Sequence, residues 1–196
     1  MRVLSLCSAV FTALLLSACA HPIVISPAVD KIAPSATAQK INKNVAYYIA
    51  DDILRKEVIT PGGGGDKVSY MPYRDIENGF YRMLSNTFGS VTKLKSLNDA
   101  DAISKNSISY IITPSLVTNS SSPSPFTWPP TKFNAELTCS ISDAAGKTIL
   151  VKKASGDGSA EFDEFKRDHS LSGKRATEDV LVKMQKILLE APELQK

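Results

Sequence analysis

Along residues 132–142 apolar and polar positions alternate without a break. Phe133, Ala135, Leu137, Cys139 and Ile141 fall on one side, with Lys132, Asn134, Glu136, Thr138, Ser140 and Ser142 on the other. A period of two with one wet face predicts a half-buried β-strand. Residues 143–147 contain Gly146 and predict a turn, so 148–158 should return antiparallel as the second arm of a hairpin. Residues 44–49 are rich in strand formers and carry apolar side chains on both faces, as a central strand does. Two more strands are expected, at 91–94 and 107–117. In the second, Ile108, Tyr110 and Ile112 share a face, Ile111 takes the other, and Pro114 places its end at an edge or bend.

Elsewhere the period changes to that of a helix. Ile76, Phe80, Leu84 and Phe88 line one face of 73–88, which Tyr73 and Tyr81 broaden. Gly79 weakens this helix by up to ~1 kcal/mol, which points to close packing or a conformational need, and Gly89 is placed to end it. A short helix over 99–105 is capped by Asn98 or Asp99. The closing helix, 174–190, carries an apolar stripe of Ala176, Val180, Leu181, Met184, Ile187, Leu188 and Ala191, and Pro192 marks its end. Its acidic Glu178 and Asp179 precede Lys183 and Lys186, the favourable order along a helix dipole. Together these elements predict an α+β two-layer sandwich: a mostly antiparallel or mixed sheet covered by helices, with a C-terminal amphipathic helix.

The amino terminus has a different pattern. Arg2 precedes an apolar run around residues 9–16, too short for a membrane span, which ends in small residues. Leu16-Ser17-Ala18-Cys19 resembles the bacterial lipobox at all four positions. That resemblance implies a signal peptide over 1–18, cleavage before Cys19, and acylation of its thiol. Two or more acyl chains, at roughly 0.8 kcal/mol per buried methylene, hold a soluble body firmly to a bilayer. Ala20, where an Asp would resemble an inner-membrane retention signal, implies the outer membrane, with the domain facing the periplasm. The order of elements over about 43–190, joined to the lipobox, resembles small envelope auxiliary lipoproteins of the YajG-like and transporter-associated groups, and the amino-terminal domain of TolB.

Composition narrows the function further. The 196 residues are 43% hydrophobic and 22% charged, which suits one folded domain and excludes a chain disordered throughout. Loss of the first 18 residues takes Arg2 with it and leaves 22 basic against 20 acidic side chains, a balance that gives no case for nucleic acid binding. Cys7 leaves with the signal and Cys19 carries lipid, so Cys139 stands alone and is expected to be buried. Residues 19–41, broken by Pro22, Pro27 and Pro34, are expected to be the lipidated N-terminus and a flexible tether, with 23–25 as an alternative edge strand. Residues 42–196 form the single periplasmic domain.

Candidate chemistry is sparse. The mature chain has His21, read as a surface residue beside the membrane, and His169, read as a solvated residue or local cap. No Gly-x-Ser-x-Gly elbow accompanies them, so no catalytic residue is assigned. Asp157, Glu161, Asp163, Glu164 and Asp168 lack the spacing of a calcium loop, and no metal or cofactor is assigned. The glycine run at 62–65 lacks the Gly-Lys-Ser/Thr ending of a phosphate loop and is expected to be a mobile surface loop. The most unusual stretch is 118–131, TNSSSPSPFTWPPT. Its Phe126 and Trp128 are either a lid over the sheet or aromatic anchors for a partner. The leading expectation is a lipid-anchored envelope protein that binds or supports another envelope component, an envelope protein foremost, through Phe126 and Trp128 or through the glycine loop. The alternatives are a periplasmic hydrolase acting on cell-wall or lipid material and a self-associating structural lipoprotein.

Overall fold

A computed structural model describes residues 20–195, so the signal segment and Cys19 lie outside the described residues. The chain runs β1 (His21–Pro22), β2 (Ile41–Tyr47), α1 (Asp51–Leu54), β3 (Val58–Pro61), β4 (Lys67–Tyr70), α2 (Pro72–Thr87), β5 (Phe88–Lys93), α3 (Ala100–Lys105), β6 (Tyr110–Ser121), β7 (Lys132–Asp143), β8 (Thr148–Ser159), α4 (Phe162–Phe165) and α5 (Leu171–Leu189). The main sheet has the order β5-β2-β6-β7-β8. β2 lies parallel to both β5 and β6, whereas β6–β7 and β7–β8 are antiparallel, so the sheet is mixed. This is the α+β sandwich that the pattern predicts.

Alternation along β7 builds the core. Phe133, Ala135, Leu137, Cys139 and Ile141 are all buried, in one cluster with Ile76, Phe80 and Leu84 of α2 and Ala176, Val180, Leu181 and Met184 of α5. β2 serves two cores. Val45 and Tyr47 join the main one, while Ala46 meets Leu94, Ile108 and Ile111 in a smaller cluster with Ala102 and Ile103 of α3 on the opposite face. Helix α5 lies so close to β8 that a Cβ at Gly158 would sit 2.0 Å from the Ser172 carbonyl oxygen.

Three local expectations need correction, the first only in part. β6 does not end near Pro114 but runs on to Ser121, with Pro114 paired with Cys139 on one side and at an open edge on the other. The Ile112 carbonyl accepts from Tyr48 N–H at 3.1 Å, so the β6 backbone there faces β2. Two residues on, Pro114 faces the same side after β2 pairing has ended, and its missing N–H removes no ladder bond. Gly89 does not end α2; Phe88 does, by turning to φ −117° and ψ 164° as β5 begins. Ile108 leaves the face of Ile112 because Ser107, at φ 49°, redirects the chain ahead of β6.

The largest correction concerns the tether. Residues 20–34 form a strap across α2 and α5, with Ile23, Ile25 and Ile32 buried. Polar side chains on the helices hold its backbone. Ile25 N–H donates to Asp75 Oδ2 (3.2 Å), and its carbonyl accepts from Thr177 Oγ1 (2.8 Å). Ala28 N–H donates to Glu178 Oε1 (3.0 Å), while Asn86 and Gln185 donate to the carbonyls of Ile32 and Ala33, each at 2.8 Å. Glycines make the track. A Cβ at Gly79 would lie 2.5 Å from Pro27 Cγ, and one at Gly173 would lie 2.4 Å from Ile25 Cγ2. Prolines that break helices and strands are compatible with this extended path, whose hydrogen bonds come from side chains.

Candidate functional site

The strap begins at a small second sheet of order β1-β4-β3. β1 runs parallel to β4, which pairs antiparallel with β3 across the glycine run. That run is packed against the proline-rich loop at 122–131, which corrects the expectation of a mobile loop. Gly63 N–H donates to the Trp128 carbonyl (2.9 Å) and Gly64 N–H to that of Ser124 (3.1 Å). A Cβ at Gly63 would lie 1.8 Å from the Thr127 carbonyl oxygen, so only glycine lets the two backbones meet. With those amides bonded to carbonyls, the loop is a structural joint.

Trp128 sits at this joint, half-buried against the main core. The His21 ring is stacked on its indole, with centroids 4.3 Å apart and planes at 25°. His169 approaches edge-on at 4.7 Å and 67°. The two histidines that looked isolated in sequence therefore flank the single tryptophan. His21 Nε2 also lies 3.7 Å from Asp66 Oδ1, in a pair with both side chains about two-fifths exposed. Ser172 Oγ donates to the Pro130 carbonyl at 2.7 Å and ties the loop to the first turn of α5.

Phe126 has a different environment: it is 94% exposed, two residues from the packed Trp128. The loop thus holds one aromatic in and one out. Beside it, a hollow of about 330 Å³ runs between Pro123 and Thr127 on one side and Phe162 and Phe165 on the other. Phe165 is buried, Phe162 is largely exposed, and Lys166 Nζ lies 4.7 Å above the Phe162 ring.

The acidic stretch is organised by ion pairs. Glu164 binds Arg175 through both carboxylate oxygens, at 2.7 and 3.0 Å. The Arg175 hydrogen bond, then that from Glu161 N–H, lowers the Glu164 carboxyl to about 2. Asp168 pairs with Lys174 and Asp163 with Lys166. Among the described residues no group of three or more His, Cys, Asp or Glu side chains is placed to hold a metal ion. Cys139 lies in the core, where burial pushes its thiol up to about 12.

A second concavity, of about 640 Å³, lies at the opposite end of the sheet beside the 143–147 turn. Ile103 of α3, Ile111 and Thr113 of β6, and Ser140 and Ser142 of β7 line it, and no ionisable side chain does. The sequence marked Ser140 and Ser142 as the wet face of a strand and Ile111 as the second face of another, and nothing in it brings them together with Ile103. Burial of the polar residues Asp75, Asn86, Thr177 and Gln185 was the missed signal for the strap.

No family model matches the chain, and no curated protein matches it in sequence. Two solved structures are similar to it in part. Protein XCC0632 from Xanthomonas campestris, of family DUF330, is 8% identical with a TM-score of 0.46, over 87% of this chain and 92% of that one. A "putative lipoprotein" from Caulobacter crescentus CB15 is 12% identical with a TM-score of 0.33, over 74% of this chain and 87% of that one.

Proposed function

We propose that this is a lipid-anchored protein that binds or supports another component of the bacterial envelope. In this reading residues 1–18 are a signal peptide, Cys19 carries the acyl chains, and the body faces the periplasm from the outer membrane. The junction at residues 16–21 carries the proposal: only Ala20 separates Leu16-Ser17-Ala18-Cys19 from His21, whose ring lies on Trp128. No described helix is long and apolar enough to cross a membrane, so the acylated cysteine is the attachment this reading uses. Because the strap is packed, the anchor gives the body a fixed end instead of free reach. Phe126 is the exposed contact group, and Trp128 is the platform that sets its loop.

Replacement of Cys19 by serine tests the anchor. Metabolic lipid labelling should disappear and the protein should leave the membrane fraction; unchanged labelling contradicts the assignment. Replacement of Phe126 alone by alanine, with Trp128 left to hold the loop, tests the contact by crosslinking in native membranes. Capture of the envelope component should fall while far-ultraviolet circular dichroism stays that of a folded domain.

A further inference from the structure

We infer that the component met by Phe126 is the bilayer surface itself, so that the protein lies with its Trp128 end on the membrane and its sheet pointing away. This rests on acylation of Cys19. The Cα of Cys19 can lie no more than about 7 Å from that of His21, two residues on. His21 is stacked on Trp128, and Phe126 is two residues from Trp128 on the same loop. An acyl anchor at residue 19 therefore brings this end of the molecule to the lipid headgroups.

Phe126 is suited to what it meets there. It is 94% exposed, on a loop held by the Gly63–Trp128, Gly64–Ser124 and Ser172–Pro130 hydrogen bonds. Aromatic side chains concentrate at the boundary between headgroups and acyl chains, where their apolar bodies leave water. Phe162, 57% exposed across the adjoining hollow, extends the apolar rim. Exposed Lys132 and Arg167 supply cations that suit anionic headgroups, against one exposed carboxylate, Glu161, on the rim of the hollow; Lys166 is already paired with Asp163. Along β7 the 143–147 turn lies roughly 37 Å from Lys132, so the uncharged 640 Å³ concavity faces away from the lipid.

The test uses the full-length, processed protein in vesicles of phosphatidylethanolamine and phosphatidylglycerol with brominated acyl chains. Phe126→Trp in a Trp128→Phe background gives one reporter at the loop; Ala145→Trp in the same background gives one at the far turn. The Phe126→Trp reporter should be quenched about twofold or more relative to unbrominated vesicles, and the Ala145→Trp reporter should be unaffected. Wild-type protein, through Trp128 alone, should show the same direction of quenching, and this covers any loss of folding in the variants. Acylated, vesicle-bound protein without quenching at either loop position overturns the docking and leaves the anchor intact. Wild-type protein whose Cys19 proves to carry no acyl group overturns the anchor reading and this inference together. A loop shielded from bromine but crosslinked to a protein in native membranes assigns Phe126 to a protein partner and also overturns it.

Discussion

The imidazole of His21 lies flat on the indole of Trp128, 4.3 Å between centroids. This contact joins β1, the first described strand, to a loop between two central strands. It turns a segment whose sequence reads as linker into part of the folded body. The same loop presents Phe126 outward, so packing at Trp128 and exposure at Phe126 are two results of one joint.

Gly79→Ala separates two opposing effects. Helix propensity alone favours alanine by about 1 kcal/mol. The added methyl, however, would lie 2.5 Å from Pro27 Cγ and 2.9 Å from Leu181 Cδ1, and overpacking of this kind costs about 1–3 kcal/mol. The packing effect should win. Urea denaturation should show a less stable variant, and limited proteolysis should cut the strap sooner than in wild type.

Gly63→Ala probes the joint between loops. Its Cβ cannot coexist with the Thr127 carbonyl at 1.8 Å, so the Gly63–Trp128 hydrogen bond must break or lengthen. The expected result is a loss of about 1–3 kcal/mol and a red shift of Trp128 emission as the indole leaves its half-buried place. Gly65→Ala has open space around it, and its cost comes only from φ +89°. It should leave the emission spectrum unchanged.

Acid should act on the Glu164–Arg175 pair. The folded carboxyl is depressed from 4.5 to about 2, so its contribution is present above about 4.5 and is lost as pH falls towards 2. Glu164→Gln should therefore flatten the acid-stability profile across that interval, as followed by denaturation midpoints. Because the pair is exposed, added salt should shrink the difference between variant and wild type.

Cys139 acts in the other direction. Burial raises its thiol from 9.0 to about 12, so its contribution is intact below about 9 and falls as pH rises through 12. At pH 8 a thiol reagent should leave Cys139 unmodified in the folded protein and label it after guanidinium unfolding.

The sequence made the main sheet and its helices legible because their side chains face one core at regular intervals. The period of two from Phe133 to Ile141 and the stripe from Ala176 to Leu188 both correspond to buried faces. The strap was not legible in that way. Its backbone is bound by side chains distant in sequence, such as Thr177 with Ile25 and Gln185 with Ala33, and local periodicity carries no trace of such pairings. Asp75, Asn86 and Thr177, polar residues on otherwise apolar helix faces, were the available clue, together with Gly79 and Gly173. The aromatic loop stood out by composition alone. That Trp128 turns inward and Phe126 outward depends on the glycine joint, which no single segment encodes.

Amide hydrogen exchange on the full-length, membrane-bound protein tests the packed strap most directly. The amides of Ile23, Ile25, Ala28 and Ile32 donate to Ser69, Asp75, Glu178 and Val29. They should exchange on the minutes-to-hours scale of local opening, alongside the amides of α2 and α5. Exchange of these four at the rate of an unstructured peptide, with α2 and α5 still protected, would contradict the account and return the segment to a free tether.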